Sequence, residues 1–281
     1  IRAVLIIGIS FIIVYPLLVQ VSLAVMGPED VMDLSVHWIP RHFTTMNFRI
    51  AFGHMNYVSA FLTTFLTATL LSALQVMSCM VVGYGFARFK FRGSRLLFAL
   101  VIFSLVVPPS MIMVPLFLNF RYFTFWGILR EPGINLIGSS WPLVFMALTA
   151  TAKRNGLFVY IVRQFFRGMS SNLEEAAYVD GAGPLRTFFT IMMPNAKPIL
   201  MIVFLFSFVW QWNDLFYSDL FMKGKNLLPL TLQTLTDRFA FAWADRSISS
   251  VTGELTSHIK LVANAGLLMY IAPLLVLYAV L

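Results

Sequence analysis

The 281 residues are 59% hydrophobic and only 11% charged, which excludes an ordinary soluble domain and reads as an integral membrane protein. A spanning helix takes about 20 apolar residues, so six spans use about 120 to 150 residues and leave no room for a separate soluble catalytic domain. The excess of 20 Lys and Arg over 12 Asp and Glu falls between apolar runs, so it marks cytoplasmic loops rather than a nucleic-acid surface.

Taken in chain order, the charge-free intervals predict spans at about 3–26, 58–87, 96–120, 134–162, 195–221 and 260–281, all within one transmembrane domain, 1–281. The first is longer than the apolar core of a cleavable signal peptide and reads as retained. The second is rich in the small residues that let membrane helices approach closely, and its Cys79, the chain's single cysteine, reads as a small buried apolar residue. The third carries Pro108, Pro109 and Pro115, which predict a break or bend near Pro108.

The fourth is expected to break near 153–156, where Lys153 and Arg154 interrupt it. A charge at mid-bilayer costs about 2.5 to 3.5 kcal/mol on insertion scales, which argues that both sit near the inner interface. The fifth extends across Asp214 and Asp219. Starting without methionine and stopping in an apolar run, the chain reads as trimmed at both ends.

Short loops rich in Lys and Arg face the cytoplasm. Arg88, Lys90, Arg92 and Arg95 follow the second span, and Lys153, Arg154, Arg163, Arg167, Arg186 and Lys197 lie between the fourth and fifth. Both termini are therefore expected inside. His37, His42, His54 and His258 fall in or beside the outer connections, and none pairs with another at a metal-ligand spacing. No metal site and no catalytic constellation is expected.

Residues 168–194 are too polar to span and too patterned for a plain linker. Ser171 and Glu174 have capping-box spacing, with Glu174 and Glu175 in a first turn where the helix dipole favours negative charge. Ala176 and Ala177 favour the helix, Gly181 stands where a left-handed cap would end it, and Pro184 suits the first position of a second helix. The expected product is a short helix, a sharp turn and another helix on the cytoplasmic side.

From Glu175-Ala176-Ala177, three residues lead to Gly181, nine more to Ile191, and one more to Met193-Pro194. This resembles the EAA motif of ABC-importer permeases, EAA-x3-G-x9-I-x-L-P, with Met193 in place of the usual Leu. Arg163 to Phe166 as RQFF, Leu173, Asp180, Pro198 and Trp212-Asn213-Asp214 sharpen the resemblance toward the carbohydrate-uptake, maltose-type permeases, and toward their shorter second subunit. The likeness runs over the whole chain. Two features depart from the pattern: no short basic tail follows the last span, and Lys153 to Gly156 interrupt a helix that is commonly unbroken.

The resemblance implies an all-α, type I ABC importer permease fold of six transmembrane helices, with a cytoplasmic coupling helix between spans four and five. It implies a permease subunit of an ATP-driven, binding-protein-dependent sugar or oligosaccharide importer in a bacterial or archaeal inner membrane, working by alternating access. The implied partners are a second permease in a heterodimer, two ATP-binding subunits, an extracytoplasmic sugar-binding protein and the bilayer, and no nucleic acid. ATP and Mg would be held by the ATPase subunits, and this chain would bind no cofactor.

The absence of any G-x-x-x-x-G-K-[ST] loop agrees, since Gly224-Lys225 is the only Gly-Lys pair. Coupling would rest on Ser171, Leu173, Glu174, Glu175, Ala176, Ala177, Asp180, Gly181 and Ala182. The rival solutes are an amino acid, a peptide or a polyamine, and the rival class is an ion-coupled carrier, which would show paired charges at mid-membrane or inverted repeats.

A solute path is sought in the fifth span. Phe206, Trp210, Asn213 and Tyr217 fall at i, i+4, i+7 and i+11, one face of a continuous helix with Asp214 beside it. Such aromatic and amide groups suit a sugar's C–H faces and hydroxyls. The same residues equally suit an interfacial aromatic belt, and Asn213 with Asp214 equally suit a helix end.

Overall fold

The computed structural model describes residues 2–280 other than 34, 37, 126, 129, 131 and 247–251, so His37 and part of the connection 222–259 lie outside the described residues. In chain order the helices are α1 (Arg2–Val25), α2 (Pro28–Met32), α3 (Met46–Met55), α4 (Tyr57–Arg88), α5 (Ser94–Phe103), α6 (Pro109–Arg121), α7 (Trp141–Leu148) and α8 (Asn155–Gly168). They continue as α9 (Asn172–Val179), α10 (Pro184–Thr187), a π-helical turn (Phe188–Met192), α11 (Met193–Asn195), α12 (Lys197–Trp212), α13 (Phe216–Met222), α14 (Leu228–Gln233), α15 (Leu235–Arg246) and α16 (Thr252–Val280). No strand occurs among the described residues, and the protein is all-α. Contacts divide it into two compact units, residues 1–64 with 226–281, and residues 65–225.

In the first unit α1 packs along α16, which also meets α2, α3, α14 and α15. Of the residues of α1 only Ala24 is buried, and most of its Ile, Leu, Val and Phe side chains stand exposed, as a helix surrounded by lipid or by another membrane helix requires. Buried Asn47 donates to the carbonyls of Ala24 and Met26 at 3.0 and 2.9 Å, satisfying acceptors that α1 leaves open at its C-terminus. The Tyr57 hydroxyl donates to the carbonyl of Met269 at 2.9 Å, and Thr64 Oγ1 accepts the Leu228 amide at 2.8 Å.

The second unit is centred on the later part of α4. Cys79, Met80 and Tyr84 of α4 pack against Phe158, Val159, Val162 and Phe166 of α8, with Phe188, Met192, Ala196 and Val203 closing the core. Gly83 permits this approach: a Cβ there would stand 2.7 Å from Val162 Cγ1, well inside van der Waals contact.

Among the described residues three helices are long and apolar enough to cross a membrane: α1, α4 and residues 255–279 of α16. A fourth is obtained if Pro184–Asn195 and Lys197–Trp212, bent by 76°, are counted together. The intervals expected as the third and fourth spans are each two shorter helices. The interruption near Pro108 is present, with α5 ending at Phe103 and Pro109 opening α6. Between α7 and α8 lie Thr149 to Arg154, in which Ala150 and Arg154 take φ of 55° and 65°, a left-handed geometry that costs a non-glycine residue free energy.

One expectation is corrected. The fifth span is not one helix across Asp214, because α12 stops at Trp212 and α13 begins at Phe216. The connection after Met222 contains α14 and α15.

Candidate functional site

The segment after α8 folds as its local chemistry dictates. Helix α9 is closed by two bonds, from the Gly181 amide to the Tyr178 carbonyl at 3.1 Å and from the Ala182 amide to the Ala177 carbonyl at 2.9 Å. That pair is a Schellman cap, and it needs the φ of 78° that Gly181 supplies. Gly183 is extended, and Pro184 opens α10. The chain then passes through the π-helical turn into α11 and bends into α12.

The N-terminal end of α9 departs from the sequence reading. Ser171 makes no side-chain capping bond, so the capping box is not formed. Glu174 instead turns inward and is buried. Its Oε1 accepts the Tyr84 hydroxyl at 2.7 Å, and its Oε2 lies 3.2 Å from Arg88 Nε, a charge contact without hydrogen-bond alignment. Arg88 also donates to the carbonyl of Met169 at 2.9 Å. The Tyr84 hydrogen bond and the nearby guanidinium charge hold the carboxylate inward, away from the backbone amide that a capping box would offer.

The two alanines part company as well: Ala177 is buried and Ala176 is exposed. Helix α9 therefore shows outward a face of Leu173, Glu175, Ala176, Tyr178 and Val179, Val179 being 87% exposed, followed by exposed Asp180 and Gly181 and by Leu185.

The residues expected along a solute path are brought together only in part. Phe206 is exposed, and its ring neighbours Trp210, which stacks on Phe158 at 5.4 Å and carries the Arg154 guanidinium 5.2 Å from its ring centre. Asn213 is exposed at the end of α12 and donates its side-chain amide to the Val209 carbonyl at 2.7 Å. Asp214 and Tyr217 are buried. Asp214 Oδ2 accepts the amides of Tyr217 and Ser218 at 3.0 and 3.1 Å, so it caps α13, and its Oδ1 meets Lys153 Nζ at 2.9 Å. The single mixed face is not formed because the helix ends, which is the alternative that Asn213 and Asp214 left open.

Lys153 is thereby separated from the α9 segment by the whole of α8, 14 residues or about 21 Å of helix. An ion pair with Asp214 removes the premise that the charge is alone.

Beside this pair lies an arrangement that the sequence reading missed. Gln75, 1% exposed in the middle of α4, uses its whole amide. Its oxygen accepts from Ser207 Oγ at 2.5 Å and Gln211 Nε2 at 3.3 Å, and its nitrogen donates to the Lys153 carbonyl at 2.8 Å and to Asn155 Oδ1. Four bonds exhaust what an amide offers. The signal was available, since a glutamine inside a long apolar helix must find partners in the protein. A cavity of about 710 Å³ opens alongside, lined by residues 150–156, by Pro108, Pro109 and Ser104, by apolar residues of α4 and α5, and by Tyr217.

Residues 79–281 match the family described as binding-protein-dependent transport system inner membrane component. The chain is 28% identical over 248 residues to the melibiose/raffinose/stachyose import permease protein MelC of Bacillus subtilis (strain 168), covering 88% of this chain and 79% of that protein. It is 26% identical over 268 residues to the diacetylchitobiose uptake system permease protein NgcG of Streptomyces coelicolor (strain ATCC BAA-471 / A3(2) / M145), covering 93% and 80%. In fold it is similar, with a TM-score of 0.70 at 21% identity over 99% of this chain and 93% of the other, to a bacterial ABC transporter involved in the import of the acidic polysaccharide alginate.

Proposed function

The chain belongs to the family of binding-protein-dependent transport system inner membrane components, and from that premise we propose that it is the permease subunit of an ATP-driven importer of a sugar or oligosaccharide. The observation that carries the reading is the outward face of α9. Apolar Leu173, Tyr178 and Val179 stand exposed beside Glu175 and Ala176 on a short helix whose end is fixed by the Gly181 cap. A helix that leaves such side chains in water serves a docking partner better than it serves the fold of its own chain.

The partner is an ATP-binding subunit, which supplies ATP, Mg and hydrolysis. Two such subunits, a second permease and an extracytoplasmic sugar-binding protein complete the complex. Six spans with both termini cytoplasmic put α9 on the ATPase side. The named sugar-uptake relatives support a saccharide as cargo.

Glu175→Lys reverses a charge on the docking face without touching the core. Copurification of the complex should show the variant inserted and paired with the second permease, with ATPase subunits lost. Uptake of labelled mono- and oligosaccharides by cells expressing the intact complex tests the cargo. Full ATPase retention in Glu175→Lys would remove α9 as the docking element.

A further inference from the structure

Glu174 lies next to the docking face but does not belong to it. Its side chain is 10% exposed and that of Arg88 is 15% exposed, while Tyr84 is 4% exposed. The Tyr84 ring is itself wedged between Phe166 of α8, at 5.2 Å, and Phe188 of the π-helical turn, at 4.8 Å. Arg88 reaches in two directions, to Glu174 and to the Met169 carbonyl at the end of α8. One carboxylate on α9 is thus held by two residues, one turn apart, at the end of the long helix α4. A buried charge contact of this kind is a poor source of net stability, and the direction is set by the Tyr84 hydrogen bond.

We infer that Glu174 is a positioning residue that fastens α9 to α4, so that a displacement of α9 by its docking partner is delivered to α4 as a rigid movement. The inference rests on the proposed docking role of α9 and names the route by which that docking reaches the membrane. Glu175 meets the partner, and Glu174 passes the movement inward. Tyr84 and Arg88 are the receiving end.

The experiment uses the full complex in proteoliposomes and reads three quantities: ATPase subunits retained, basal hydrolysis, and stimulation of hydrolysis by the cognate binding protein as purified. Tyr84→Phe removes only a hydroxyl, and Glu174→Gln only the charge. Both should keep the ATPase subunits and basal hydrolysis while stimulation falls by about fivefold or more, the scale of an ordinary coupling term.

A second arm places cysteines at 88 and 174 in a Cys79→Ala background and joins them with a short reducible bis-methanethiosulfonate. Stimulation should be lost in the dithiol form, return on crosslinking and disappear again with reductant. Undiminished stimulation in both conservative variants overturns the inference. So does a crosslinked complex less active than its dithiol form, since the contact would then have to open in turnover. Loss of ATPase subunits in Glu174→Gln also overturns it, by making Glu174 part of the docking face, and leaves the proposed function standing. Failure of the unmodified chain to retain ATPase subunits would instead sink the docking role itself.

Discussion

The α9 turn and the interruption between α7 and α8 are both breaks in a helical chain, yet they are built by opposite means. The first is closed by bonds between residues three and five apart, Gly181 to Tyr178 and Ala182 to Ala177, with a glycine at the one position that needs positive φ. The second puts Ala150 and Arg154 at positive φ without any glycine and is held from outside, by Gln75 from 78 and 80 residues away and by Asp214 from 61 residues away. A locally closed break survives changes elsewhere, whereas a remotely held one is only as good as its partners. The two should therefore respond differently to substitution.

The largest effect is expected where a remote partner is withdrawn. Lys153→Met leaves the Asp214 carboxylate buried with only the two α13 amides, and breaking a buried pair costs about 3 kcal/mol or more. The melting temperature of the purified complex should drop, and the double variant Lys153→Met/Asp214→Asn should recover most of it, because no uncompensated charge then remains. A melting temperature unchanged in the single variant would show that the interruption holds itself.

An intermediate effect separates two glycines. Gly181→Ala meets open space, since no atom lies within 4 Å of the added Cβ, so its cost is the left-handed backbone alone, about 1 kcal/mol. Gly83→Ala drives a Cβ to 2.7 Å from Val162 and must push α4 and α8 apart, at about 1 to 3 kcal/mol. Thermal denaturation should therefore register Gly83→Ala more strongly, while ATPase retention should register Gly181→Ala more strongly. Reversal of that order would mean that the α9 turn is held by tertiary packing after all.

The smallest effect concerns a contact of intermediate range in the first unit. Buried Asp30 accepts the amides of Arg41 and His42, each at 2.8 Å, and its other oxygen meets the His42 ring at 2.7 Å. The backbone amide of His42 holds the Asp30 carboxyl below its ordinary range, and the hydrogen bond to Asp30 raises His42 above its own. The raised His42 contributes stability that is full below about pH 6.5 and is lost as pH rises through its folded value. The lowered Asp30 contributes above about pH 4, lost as pH falls through its folded value. Amide-exchange protection at Arg41 and His42, corrected for intrinsic rates, should be greatest between those limits. His42→Gln should remove the alkaline decline and leave the acidic one.

The family resemblance was legible because the core of its motif is short-range: Glu175, Ala176, Ala177 and Gly181 act within a few residues of each other. Glu174 was misread for the same reason. Its spacing from Ser171 describes a local bond, and the competing Tyr84 and Arg88 lie far away in sequence. The interruption near Pro108 was legible because proline removes its own amide donor. The end of α12 was not, because a run of aromatic residues continues a helical pattern whether or not an aspartate beyond it is needed to cap the next helix and meet a lysine.

By itself, then, the sequence determined an all-α membrane protein, its orientation signals and the helix–turn–helix that carries the family motif, because hydropathy, proline, glycine and capping chemistry act over one or two turns. Only the tertiary structure decided which way each polar side chain faces: Glu174 inward and Glu175 outward, Lys153 against Asp214, Gln75 at the meeting of α4, α8 and α12. In a chain so poor in polar groups these buried ones find partners on other helices, and which partner each finds is set by helix packing rather than by position along the sequence.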